Sequence, residues 1–150
     1  MNIQWICKTF KELSPQQLYK IMQLRIEVFI IEQNCIFQDA DNKDEGCLHL
    51  MGFVNDELAA YTRLSPPGYI YNEISIGRVI TSPKHRNKGL GKELMQHSIA
   101  ECKKRFGNRD IKIGAQCYLL KFYESIGFRI IGENYLEDGI EHVHMIRENP

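Results

Sequence analysis

The chain has 150 residues, of which 43% are hydrophobic and 25% charged, with 19 basic and 19 acidic side chains. That is long enough to bury one core without staples, and the composition excludes a disordered or collagen-like protein. A formal net charge of zero argues against a broad nucleic-acid-binding surface, which leaves a basic excess. The five cysteines (Cys7, Cys35, Cys47, Cys102, Cys117) contain no C-x-x-C pair and are irregularly spaced. Neither a zinc site nor a disulfide framework is expected from them, and the reading is a reducing, cytoplasmic compartment. No charged-then-apolar leader and no long apolar run is present, so neither secretion nor membrane contact is expected.

Residues 3–10 (IQWICKTF) are β-rich and partly alternating, which predicts a first strand. Ser14-Pro15 then offers an N-cap with proline at the first helical position. Leu18, Ile21, Met22, Val28 and Phe29 follow at helical spacing, and the apolar run 28–32 (VFIIE) extends that pattern. Arg25 falls on the same apolar face. An unpaired charge there is very costly, so Arg25 is expected either in a structural salt bridge or against a ligand. Residues 33–46 read as a loop with one helical turn, carrying Asp39, Asp41, Asp44 and Glu45. The spacing of the three aspartates is similar to a calcium loop, but the glycine and terminal glutamate that such a loop needs are misplaced, and no metal is expected.

Residues 47–54 and 57–64 flank Asn55-Asp56, a hairpin signal, and residues 71–81 read as the next strand. Ser82-Pro83 ends that strand, because proline cannot donate to a ladder. A cationic, glycine-punctuated turn follows (Lys84, His85, Arg86, Lys88, Gly89, Gly91, Lys92), and then an amphipathic helix with Leu90, Leu94, Met95, Ile99, Cys102 and Phe106 on one face. A strand feeding a basic glycine turn that opens a helix is an anion cradle: free N–H groups and the helix dipole face the ligand. Gly107-Asn108 stops the helix. Residues 110–114 form a short strand, 117–126 a second helix ended by Gly127, and 128–132 and 141–147 the last strands, with Asp138-Gly139 between them. A strand–helix–strand unit normally makes a parallel crossover, so the whole reads as a mixed-sheet α/β domain spanning residues 1–150.

The turn fits neither familiar phosphate motif. Arg86 stands where a P-loop needs glycine, Glu93 replaces its Ser/Thr, and Leu94 stands where a dinucleotide motif needs a small residue. What remains, Arg86-Asn87-Lys88-Gly89-Leu90-Gly91, resembles the pyrophosphate motif of the GNAT acyl-CoA N-acetyltransferases. One helix and one strand later, Phe122-Tyr123-Glu124-Ser125-Ile126-Gly127-Phe128 is similar to the C-terminal motif of the same family. Residues 24–35 (LRIEVFIIEQNC), 76–79 (IGRV), 114–116 (GAQ) and 137–140 (EDGI) with His142 resemble the ElaA-like subgroup. The resemblance implies the GNAT fold, an α+β mixed sheet with an antiparallel first half and a splayed parallel pair at the cofactor site.

Acetyl transfer from a thioester to an amine needs an anchored cofactor, a polarised carbonyl, a deprotonated ammonium and a protonated leaving thiolate. The resemblance implies acetyl-CoA as co-substrate. Its pyrophosphate is assigned to Arg86, Asn87, Lys88, Gly89, Leu90, Gly91 and Lys92. Its pantetheine is assigned to the open edge at Val79, Ile80 and Thr81 of a bulged strand, with an N–H of Val79 or Ile80 on the thioester oxygen. Gln116 is the cofactor-side residue where many members carry Asn. Tyr123 is the expected general acid, since a phenol is protonated at neutral pH. For the base, Glu73 matches the glutamate of the histone-acetylating branch, His142 and His144 share a strand face, and water is equally allowed. The acceptor side is expected at Arg25, Glu32, Asp39, Asp41 and His142, where clustered carboxylates would attract a cationic small-molecule or peptide amine. The competing reading is a catalytically inactive acyl-CoA sensor or interaction module, monomer or homodimer in either case.

Overall fold

The structure, a computed structural model, describes residues 2–149. Ser14 accepts a hydrogen bond from the Gln17 N–H and Gln17 reciprocates, which starts α1 (Pro15–Arg25) at the predicted cap. The chain continues without a break into a π-helix, Ile26–Glu32, whose wider turns are seen as Gln33 N–H donating to the Val28 carbonyl and Cys35 N–H to the Ile30 carbonyl. Before it lies β1 (Gln4–Thr9), and after it β2 (Leu48–Val54), β3 (Glu57–Ser65) and β4 (Ser75–Thr81) complete an antiparallel sheet of order β1-β2-β3-β4. Asn55 and Asp56, both at positive φ, make the tight turn between β2 and β3.

Helix α2 (Leu90–Phe106) leads to β5 (Ile111–Gln116), α3 (Leu120–Glu124), β6 (Arg129–Glu137) and β7 (Ile140–Arg147). The last three strands form a second antiparallel sheet of order β5-β7-β6. Three expected boundaries move. β4 starts at Ser75 rather than residue 71, because 66–74 is an irregular connection. The helix expected over 117–126 is one 3-10 turn followed by the short α3. β6 runs on to Glu137, with Gly132 at φ +77 absorbing a register shift against β7 between Ile131 and Tyr135.

The core has two compartments, one on each face of the first sheet. Ile21, Leu24 and Val28 of the first helices pack on Met51, Leu58, Tyr61 and Ile80. Leu90, Leu94, Met95 and Cys102 of α2 pack on Leu50, Leu64, Ile74 and Ile76, and this compartment continues into Ile113, Ala115, Val143 and Met145 of the second sheet. Ile76 and Ile80 would share a face in a regular strand. They do not, because β4 carries an extra residue: Arg63 pairs with Gly77 and Tyr61 with Ile80, leaving Arg78 and Val79 opposite Thr62 alone. Arg78 sits at φ +50 in this bulge. The bulge therefore turns the second half of β4 over.

Candidate active site

Among the described residues, backbone pairing joins the two sheets at one place, where Ile74, just before β4, meets the start of β5. Ile74 N–H donates to the Asp110 carbonyl at 3.2 Å, and Lys112 N–H donates to the Ile74 carbonyl at 2.8 Å, a single parallel bridge. Beyond it the strands diverge and a cavity of about 930 Å³ opens between them. Gly77 to Thr81 of β4 form one wall, and Ile113, Gly114 and Gln116 of β5 the other. The bulge and the splay that the family resemblance implied are both present.

At the mouth, Ser82–Gly89 leads into α2. Gly89 is the N-cap at φ +73, and no side chain caps the helix. Its first N–H groups are thus unpaired by the helix and open to an anion. A Cβ at Gly89 would meet nothing within 4 Å, and one at Gly91 would reach only the Phe122 ring, at 3.7 Å. Asn87 (φ +65), Lys88 and Lys92 are exposed. The Leu90 side chain is 2% exposed and belongs to the core, so only its backbone faces the loop. Arg86 donates from Nη1 and Nη2 to the two carboxylate oxygens of Glu32, both at 2.7 Å, and from Nε to the Thr81 carbonyl at 3.2 Å. This fork raises the Arg86 pKa and lowers that of Glu32. Glu32 thus lines the cavity with its carboxylate held toward the anion loop.

Tyr123 of α3 lies in the cavity wall at 5% exposure, edge-on to Phe122 and Phe128 at 5.2 and 5.9 Å between ring centroids. Burial pushes its phenol well above the usual range, so it stays protonated at neutral pH. Gln116 exchanges hydrogen bonds with Gln33 at 3.2 and 3.4 Å, joining β5 to the end of the π-helix inside the cavity.

The acceptor-side expectation is corrected most. Arg25 is fully buried and does not line the cavity. It donates from Nε to Asp39 at 2.7 Å, from Nη1 to Asp44 at 2.8 Å and from Nη2 to the Asp39 carbonyl. Arg78 takes the other Asp39 oxygen at 2.7 Å, and Arg63 holds Asp41 through two bonds at 2.8 and 3.0 Å. Three arginines thus neutralise three aspartates and make the loop a brace, in which Asp41 alone of the three aspartates lines the cavity. Burial opposes ionisation of Asp41, but Arg63 wins and holds its carboxyl down at about 2. Glu73 is also misplaced for catalysis: it precedes the Ile74 bridge, at the closed end, and is absent from the cavity wall.

His142, also expected on the acceptor side, lies in the cavity wall at 6% exposure. Its Nδ1–H donates to the Ile140 carbonyl at 2.7 Å and its Nε2 lies 3.5 Å from Glu137. Tyr71, Tyr135 and Glu137 line the cavity beside it and were not anticipated. The one sequence signal for them was the alternation of His142 and His144, which put two rings on one face of β7 opposite Tyr135.

With this geometry in place, comparison with known proteins is direct. A model of the acetyltransferase (GNAT) domain matches residues 9–149. Protein ElaA of Escherichia coli (strain K12) is 40% identical over 148 residues, 97% of each chain. The crystal structure of Escherichia coli ElaA superposes with a TM-score of 0.92, covering 98% of this chain and all of that one. An acyl-CoA N-acyltransferase from Pseudomonas aeruginosa superposes at 0.91 with 36% identity, covering 96% of this chain and 99% of that one. A GNAT family acetyltransferase from Elizabethkingia anophelis with acetyl-CoA bound shares the fold at 0.70 and 18% identity, covering 98% of both chains. The splayed strands, the uncapped glycine turn and a match over nearly the whole chain agree: this protein belongs to the GNAT acetyltransferase family.

Proposed function

We propose that the protein is an N-acetyltransferase that moves an acetyl group from acetyl-CoA to a primary amine by direct attack in a ternary complex. The observation that carries this reading is the open edge of β4 leading from the bulge to the uncapped N-terminus of α2, with a protonated Tyr123 in the wall between. The related fold that holds acetyl-CoA supports it. Pyrophosphate would take the amides of residues 89–91, with Arg86, Lys88 and Lys92 supplying positive charge and Asn87 shaping the turn. Pantetheine would pair with Val79, Ile80 and Thr81 as an added strand, beside Gln116. An N–H of Val79 or Ile80 would stabilise the oxyanion as the amine adds, and Tyr123 would protonate the departing thiolate.

The test combines binding and turnover. Acetyl-CoA at ~100 times its Kd should stabilise the fold by about 2.7 kcal/mol. Free thiol should then appear when a panel of primary amines is added. A melting shift with no thiol from any amine would instead favour an acyl-CoA-binding module without catalysis. No shift at millimolar acetyl-CoA would overturn both.

A further inference from the structure

Charge bookkeeping around the cavity singles out one corner. Asp39, Asp41 and Asp44 are paired with Arg25, Arg63 and Arg78, and Glu32 with Arg86. Glu137, at the β6–β7 turn, has no lysine or arginine partner within 4 Å among the described residues; the basic side chain that meets it is His142, at 3.5 Å. That histidine has a fixed tautomer. A carbonyl only accepts, so the 2.7 Å contact with Ile140 puts the proton on Nδ1 and leaves Nε2 with a bare lone pair in the neutral ring. Nε2 and the Glu137 carboxylate then face each other across 3.5 Å as two acceptors. A positively charged donor placed at this pair makes the arrangement favourable.

The walls around it are aromatic. Tyr135 stacks on His142 and His144 at 5.7 and 4.6 Å, and Tyr71 meets His144 edge-on at 5.5 Å. Both tyrosine hydroxyls converge above Gly114, where a Cβ would lie 2.6 Å from that of Tyr135 and 3.3 Å from that of Tyr71. A side chain at 114 would fill the space they occupy. Neither hydroxyl has a hydrogen-bond partner among the described residues, and burial raises both phenols, so they remain neutral donors with electron-rich faces.

We propose that His142, Glu137, Tyr71 and Tyr135 form the acceptor subsite: it takes a primary ammonium ion on an uncharged chain, and His142 Nε2 removes the proton that frees the amine. The proposal rests on the acetyltransferase reading above. The ammonium gives one proton to Nε2, and Glu137 stabilises the imidazolium. The nitrogen lone pair attacks the thioester carbon, forming C–N. Collapse of the adduct breaks C–S, and the thiolate takes the Tyr123 proton. The second proton leaving nitrogen restores the phenol, and His142 releases its own to solvent. A carboxylate beside the amine would face Glu137 and Asp138, so α-amino acids are disfavoured. The other charged or titratable groups at this corner are His144, Cys117 beside Tyr135, Cys35, whose thiol donates to the Asp138 carbonyl at 3.1 Å, and Lys112, whose ammonium lies 4.8 Å from the Tyr71 ring centroid.

The test uses protein with ¹⁵N-labelled histidine, titrated with butylamine and with norvaline, the same amine bearing a carboxylate. His142 should report the Nδ1–H tautomer, and its Nε2 resonance should move with butylamine at about tenfold lower concentration than with norvaline. Glu137→Gln should weaken the butylamine response and raise its KM about tenfold, with the acetyl-CoA melting shift unchanged. His142→Gln should lower kcat about 10²-fold at pH 7 and recover toward pH 10, where the free amine no longer needs a base. An Nε2–H tautomer, a silent His142 or a pH-independent deficit would overturn the subsite while thiol release still upheld the transferase. A responsive His142 without thiol release from any amine would overturn the transferase and the proton-transfer step, and leave the ammonium subsite standing.

Discussion

Tyr123 is held between two rings in one wall of the cavity, and that determines what its removal should do. Phenylalanine keeps the packing against Phe122 and Phe128 and deletes only the proton donor. Tyr123→Phe should fold and bind acetyl-CoA as the wild type does, while kcat falls about 10²-fold, the lower end for acid–base help because a thiolate leaves readily. Steady-state kinetics beside a melting-shift titration checks both halves. Asp39 is the opposite case, since its two oxygens are divided between Arg25 and Arg78. Asp39→Asn leaves one fully buried guanidinium short of its counter-charge, and should cost about 3–5 kcal/mol in denaturant titrations. A loss below about 1 kcal/mol would mean that Asp44 alone suffices for Arg25. At this scale the sequence was read unevenly. The place of Tyr123 in the cavity wall was legible because a motif of local spacing carries it. Arg25 was recognised as a residue needing a partner, but its partners lie 14 and 19 residues away, across a loop whose path no periodicity encodes.

The elements around the cofactor loop were more legible, because caps, turns and glycines are local. Ser14, the Asn55-Asp56 turn, the start of α2 and its end at Gly107 all fall where their chemistry puts them. The π-helical winding and the extension of β6 did not, because tertiary pairing sets both. The bulge in β4 was inferred by resemblance; no residue type announces it, since Arg78 holds a positive φ without being glycine. Its restraint is Asp39, which takes Arg78 Nε at 2.7 Å. For the loop itself, Gly91→Asp should abolish the acetyl-CoA melting shift without unfolding the protein, because the new side chain has room beside Phe122 but sets a carboxylate against the phosphates. Arg86→Ala should weaken the shift less, since the helix amides remain. Glu32→Gln should strengthen binding, because it frees the guanidinium that Glu32 now occupies. Weaker binding in Glu32→Gln would mean that the fork positions Arg86 for the ligand instead of competing with it.

For the whole molecule, the buried polar brace sets the response to acid. The Asp41 carboxyl sits at about 2 and that of Asp44 is also lowered, burial being outweighed in both by arginines. The buried His49 is lowered too, chiefly by burial. Each folded-state pKa lies below its unfolded value, so each group stabilises the fold above the unfolded pKa and loses that contribution as pH falls through the folded one. Urea midpoints should decline first below about pH 6.5 as His49 is forced to charge, and again from about pH 4 toward pH 2 as the aspartates do. Asp41→Asn should flatten the lower stage and leave the upper one intact. A single transition near pH 4 in the wild type would show that His49 contributes nothing.

The one-bridge contact between β4 and β5 has a further consequence. It leaves two strand edges unpaired, and bare edges invite other chains to add on and aggregate. Here both edges face inward across a gap that narrows to a single bridge, so no second protein can lay a strand along either one. What enters must be slender, flexible and able to satisfy backbone amides from one side. The same opening that would admit a thin acyl carrier therefore keeps these two edges from pairing with other chains. Amides of residues 77–81 and 113–116 should exchange their hydrogens with solvent fastest in the empty protein and slow together when the carrier is bound.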